Sequence, residues 1–84
     1  MKIVFADAAW EDYLYWQQQD RKMVERINKL IREIQREPFL GIGKPEALKH
    51  ALAGFWSRRI TDEHRVVYRV VGDELQLVQL RFHY

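Results

Sequence analysis

The chain has 84 residues, a formal net charge of +2 and no cysteine. That length suits one domain over 1–84, near the small end of what folds unaided. The missing cysteine excludes disulfides, thiol catalysis and thiolate metal sites. Hydrophobic residues at 48% and aromatics at 13% are enough to fill one compact core with large rings. No stretch approaches the length of a membrane span, and the apolar run Ile3-Val4-Phe5-Ala6 is too short for a signal peptide. A small fold without disulfide staples suits the reducing cytoplasm.

Lys2 to Phe5 reads as a first strand. Asp7 is a candidate N-cap for a helix from about Ala8 to Gln18, with Trp10, Tyr13, Leu14 and Trp16 on its apolar side. Asp20 starts a second helix. Its residues Met23, Val24, Ile27, Leu30, Ile31 and Ile34 keep the 3, 4 rhythm of one buried face, and Pro38 closes it near Arg36. So short a connection makes the two helices an antiparallel hairpin. Phe39 to Lys44 is a loop with Gly41 and Gly43, and it lacks the GK[ST] ending of a phosphate-binding loop. Pro45 and Gly54 bracket a short expected helix at 46–50 that sets Glu46, Lys49 and His50 on one side.

Three strands follow, at Phe55–Ile60, His64–Val71 and Leu75–Tyr84, joined by turns at Asp62-Glu63 and Gly72-Asp73. The order is β-α-α-(short α)-β-β-β. It describes an α+β domain with an antiparallel sheet and the two N-terminal helices on one face. Alternation along the strands predicts pairing of Trp56 with Tyr68 and of Tyr68 with Val78. Arg59, Arg65, Arg81 and His83 then gather on the open face.

From Phe55 onward every basic residue other than histidine is an arginine. Arginine favours bidentate recognition of phosphate or carboxylate, although its stem equally serves to cover apolar sheet surface. Glu46, beside Lys49 and the arginines, reads as a carboxylate base, or simply as an acidic residue at a helix N-terminus. His83 is a titratable group able to act as an acid near neutral pH. A carboxylate base, a histidine acid and arginines between them match phosphodiester cleavage in which the 2′-OH of RNA is the nucleophile, and no metal is needed. His50, His64 and His83 have no metal-motif spacing.

Three segments together carry a resemblance: Lys44-Pro45-Glu46-Ala47-Leu48-Lys49-His50, Gly54-Phe55-Trp56-Ser57-Arg58-Arg59-Ile60-Thr61-Asp62-Glu63-His64-Arg65-Val66-Val67-Tyr68, and the closing Arg81-Phe82-His83-Tyr84. With Trp10-Glu11-Asp12-Tyr13-Leu14-Tyr15-Trp16 they make the whole chain similar to the YoeB toxins of the RelE-like superfamily. The resemblance implies a RelE-like, microbial-ribonuclease-like fold and a ribosome-dependent mRNA endoribonuclease that cuts message in the ribosomal A site. It implies Glu46 as general base, His83 as general acid, Arg65 as transition-state stabiliser and Tyr84 as a residue holding the RNA or the site geometry. Lys49 and Arg59 are implied as phosphate contacts. It implies no cofactor, a YefM-like antitoxin as partner, and a homodimer. The alternative is a non-catalytic binding module on the same fold, acting on the ribosome or a protein target.

Overall fold

The structure, a computed structural model, describes residues 1–83, and Tyr84 lies outside the described residues. Strand β1 (Lys2–Phe5) runs directly into helix α1 (Asp7–Gln19), and Asp20 alone separates α1 from α2 (Arg21–Arg36). The Asp20 carboxylate accepts from the backbone amides of Lys22 and Met23, capping two otherwise unpaired donors of α2. Asp7 takes a different part from the expected one. The cap position is Ala6, which offers no side-chain bond, and Asp7 sits in the first turn, where its charge favours the helix dipole.

The buried face of α2 is the one its periodicity predicts. Met23, Ile27, Leu30, Ile31 and Ile34 pack against Val66, Tyr68, Leu75 and Leu77 of the sheet and Leu80 just beyond it. In α1 only Ala9 and Trp16 are fully buried. Trp10 and Leu14 are exposed, so the apolar side expected of that helix is narrower than its sequence suggests. Trp10 instead stacks on Tyr13 and meets Phe5 edge-on, closing the corner between α1 and β1.

Among the described residues the sheet has five strands in the order β1-β5-β4-β3-β2, with β2 (Glu46–Ala47), β3 (Trp56–Arg59), β4 (Arg65–Val71) and β5 (Glu74–Gln79). It is mixed, because β1 pairs with β5 in parallel while the other pairs are antiparallel. The short helix expected at 46–50 is absent. Glu46 and Ala47 pair instead with Ser57 and Trp56, and the Leu48 amide continues that contact to the Phe55 carbonyl. Only His50–Leu52 is helical, as a single 3₁₀ turn. Five residues gain little from helical bonds of their own, whereas pairing with an existing strand satisfies their backbone at once.

The expected register holds at Trp56–Tyr68, but Tyr68 pairs with Leu77 rather than Val78. A bulge between Val67 and Tyr68 then restores the expected register, and Val67 pairs with Gln79. The extra residue lets Leu75, Leu77 and Leu80 all face the helices, although their spacing breaks strict alternation. The last strand is also shorter than expected. It ends at Gln79, and Phe82 takes a φ of 66°, so His83 follows a turn rather than extending β5.

Candidate functional site

Residues paired directly across antiparallel strands project to the same face. The pairs Glu46–Ser57, Ser57–Val67 and Val67–Gln79 therefore form one row across the face that the helices leave uncovered. Arg59 and Arg65 pair with one another two positions along the same two strands, and so share that face. The register thus brings together three of the residues singled out from the sequence: Glu46, Arg59 and Arg65. Glu46 and Arg59 are exposed.

Lys49 lies in the loop between β2 and the 3₁₀ turn, not on a helix with Glu46. Both still border one depression, lined by Glu46, Ala47, Leu48, Lys49, His50 and Leu52. Its lining includes both a carboxylate and an ammonium group.

Arg65 is only 7% exposed. Its Nη1 donates to the carbonyls of Thr61, Asp62 and His64 at 2.6, 3.0 and 3.1 Å, which fixes the guanidinium against the β3–β4 turn. Its backbone amide donates to the Phe82 carbonyl at 3.0 Å, placing the C-terminal segment directly beside it. A cation held this way needs little reorganisation to meet an anion. His83 is exposed and follows immediately on Phe82. Tyr84, named from the resemblance, lies outside the described residues.

Arg81 does not join this group. Its guanidinium carbon lies 3.5 Å from the centroid of Tyr15 and 4.3 Å from that of Phe82, on the α1 side of the molecule. The expected open-face position assumed that alternation continues past Gln79, and the chain leaves the strand there. Arg69 does lie on the open face, with its guanidinium 5.0 Å from the Phe55 ring and its Nε donating to Gln76.

Arg58 is one of the residues to which the sequence assigns no role. It pairs with Val66, so it faces the core, and it is fully buried. Its guanidinium donates to Tyr68 Oη and to the carbonyls of Ile42, Glu37 and Leu40. Tyr68 Oη in turn donates to the Pro38 carbonyl at 2.6 Å. Burial pushes the Tyr68 phenol above its ordinary value of 10.0, and the hydrogen bond and charge of Arg58 offset part of that rise. This pair anchors the whole loop from α2 to β2, and with it the strand that bears Glu46. The signal was available: pairing Trp56 with Tyr68 sets Arg58 opposite Val66 on the apolar side.

His64 packs against α1 and the C-terminal segment. Its ring meets Trp16 edge-on at 4.9 Å, and its Nδ1 accepts from the Phe82 amide at 2.8 Å. Among the described residues no group of three or more His, Cys, Asp or Glu side chains is arranged to hold a metal ion. None of the described helices is long and apolar enough to cross a membrane.

The family model for the YoeB-like toxin of bacterial type II toxin–antitoxin systems matches residues 5–84. The toxin YoeB of Escherichia coli strain K12 is 55% identical over 84 residues, all of both chains. A solved YoeB/ParE toxin from Agrobacterium tumefaciens is 57% identical and superposes with a TM-score of 0.98, again over all of both chains. YoeB of Staphylococcus aureus is 47% identical with a TM-score of 0.92 in a heterotetrameric complex with YefM and 0.93 as a dimer. In both cases it covers 100% of this chain and 98% of that one. The fold, the matched residues and the full-length identity agree, and this chain belongs to the YoeB-like toxins of bacterial type II toxin–antitoxin systems.

Proposed function

We propose that this toxin is a metal-independent endoribonuclease that cuts mRNA in the A site of the translating ribosome and so stops translation. The observation that carries the reading is the cross-strand register that sets Glu46, Arg59 and Arg65 on one open face, with the segment bearing His83 bonded to Arg65.

In this reading Glu46 removes the proton from a 2′-OH, and the oxygen attacks the adjacent phosphorus. Arg65 offers guanidinium donors to the charge that grows on the non-bridging oxygens. The bond to the 5′-oxygen breaks, and His83 donates a proton to that leaving oxygen. The products are a 2′,3′-cyclic phosphate and a 5′-OH end. Lys49 and Arg59 contact flanking phosphates, and Tyr84 holds the RNA or the site geometry. The chemistry balances with these side chains and needs no cofactor.

The working partners are a YefM-like antitoxin and a second copy of the toxin. Support comes from the relative solved both with YefM and as a dimer. The place of action is the cytoplasm, where translated message is found.

Primer extension on an mRNA under translation in a purified system tests the reading. Wild-type protein is expected to create new 5′ ends within codons, and Glu46→Ala, Arg65→Ala and His83→Ala to create none. A message that stays intact while translation still stops would replace the nuclease with a ribosome-binding module.

A further inference from the structure

Once the chain leaves β5 at Gln79, its backbone polar groups need partners outside the regular ladder. Those found come from α1, from His64 and Arg65, and from the Gln79 side chain. The Leu80 amide donates to Asp12 Oδ2 at 3.0 Å, and the Leu80 carbonyl accepts from Trp16 Nε1 at 2.9 Å. The Arg81 and Phe82 carbonyls both accept from the Gln79 amide group, and the Phe82 carbonyl also accepts from the Arg65 backbone amide. The Phe82 amide donates to His64 Nδ1 at 2.8 Å. Phe82 is at the same time held at a φ of 66°, a region that residues other than glycine seldom adopt.

We propose that His64 is a positioning residue: its Nδ1 locks the left-handed turn at Phe82 and thereby sets where His83 stands relative to Arg65. The role in cleavage rests on the reading of His83 as the acid. The bond itself follows from geometry alone. A backbone amide can only donate, so Nδ1 must be the unprotonated nitrogen and the imidazole proton must sit on Nε2. Trp16 fixes the ring from the α1 side, at 4.9 Å and 77°. That same indole holds the Leu80 carbonyl, so one aromatic pair restrains the segment at two points. His64 is thus chemically unlike His83. It acts as an acceptor in a fixed tautomer, and its service is to remove freedom from the residue after Phe82. Displacement of an acid by about 1 Å is enough to cost roughly 10²-fold in rate.

The test compares His64→Phe, which keeps an aromatic ring beside Trp16 but has no acceptor, with His64→Asn, whose Oδ1 stands near the Nδ1 position. On translating ribosomes His64→Phe is expected to lower kcat about 10²-fold with KM little changed. His64→Asn is expected to recover most of that loss. Thermal melting separates a misfolded variant from an inactive one. In the wild-type protein, nitrogen NMR should show an unprotonated Nδ1 on His64 with a hydrogen-bond coupling to the Phe82 amide. Wild-type kcat in His64→Phe, or equal loss in both variants, overturns the proposal, as does a proton on Nδ1. If wild-type protein cuts no message at all, the nuclease reading fails. The NMR result then still decides the lock by itself.

Discussion

Arg58 Nε donates to Tyr68 Oη at 3.2 Å in the interior of the sheet–helix layer, and between them the two side chains hold the carbonyls of Glu37, Pro38, Leu40 and Ile42. A fully buried guanidinium is satisfied here by a phenol and three carbonyl dipoles. Arg58→Lys replaces a planar fork by a single ammonium that cannot reach all four acceptors. Each acceptor left unpaired costs about 1–3 kcal/mol. The variant is expected to lose about 3 kcal/mol or more in urea unfolding, with the loop from α2 to β2 exchanging its amide hydrogens faster.

The Tyr68 phenol carries a pH signature. Burial raises its folded pKa above 10.0, and Arg58 offsets only part of the rise. The folded state therefore holds this proton more tightly than the unfolded chain. The contribution is fully present below pH 10.0 and is lost as pH rises through the folded value. Tyr68→Phe is expected to cost about 1–3 kcal/mol near neutral pH through the bonds it removes. The gap between the two proteins should narrow as pH rises above 10.0. Urea midpoints measured for both across the alkaline range check the sign.

Gly43 and Gly54 both have positive φ, at 81° and 94°, yet they should respond differently to alanine. A Cβ on Gly43 would meet Leu30 Cδ2 at 3.0 Å and both Arg58 Cβ and the Arg59 carbonyl at 3.1 Å, while one on Gly54 would meet nothing within 4 Å. Gly54→Ala carries only the backbone strain of about 1–2 kcal/mol. Gly43→Ala adds overpacking of about 1–3 kcal/mol. A lower melting temperature for Gly43→Ala than for Gly54→Ala is expected.

Glu46 and Arg65 should separate activity from stability. Glu46 is exposed on a two-residue edge strand, so Glu46→Gln should melt like the wild type while kcat falls about 10²–10⁴-fold. Arg65 both faces the site and secures the β3–β4 turn through three carbonyls. Arg65→Ala should lose activity and also unfold at lower urea. An Arg65→Ala protein as stable as wild type would show that the turn does not depend on the guanidinium.

Legibility in the sequence followed the range of the interaction. The α2 face was readable because Met23, Ile27, Leu30 and Ile34 recur with the helical period, and Asp20 was readable because a cap acts two or three residues away. The Trp56–Tyr68 register was readable because the apolar residues that alternate along both strands must meet on the helix-covered side. The strand at Glu46–Ala47 was not, since its support is a partner strand about ten residues further on. Nor was the turn at Phe82, whose segment is held by Asp12 and Trp16 from α1.

The sequence by itself therefore determined the helix hairpin, the β3–β4 pairing, the family and the identity of the candidate site residues. Its periodicities are local, and burial of one face enforces them residue by residue. Only the tertiary structure decided that Arg58 anchors the loop from α2 to β2, that Arg81 turns to α1, and that His64 fastens the segment bearing His83. Those outcomes depend on one bulge and on side-chain bonds to backbone groups up to 68 residues away, for which no spacing in the chain provides a sign.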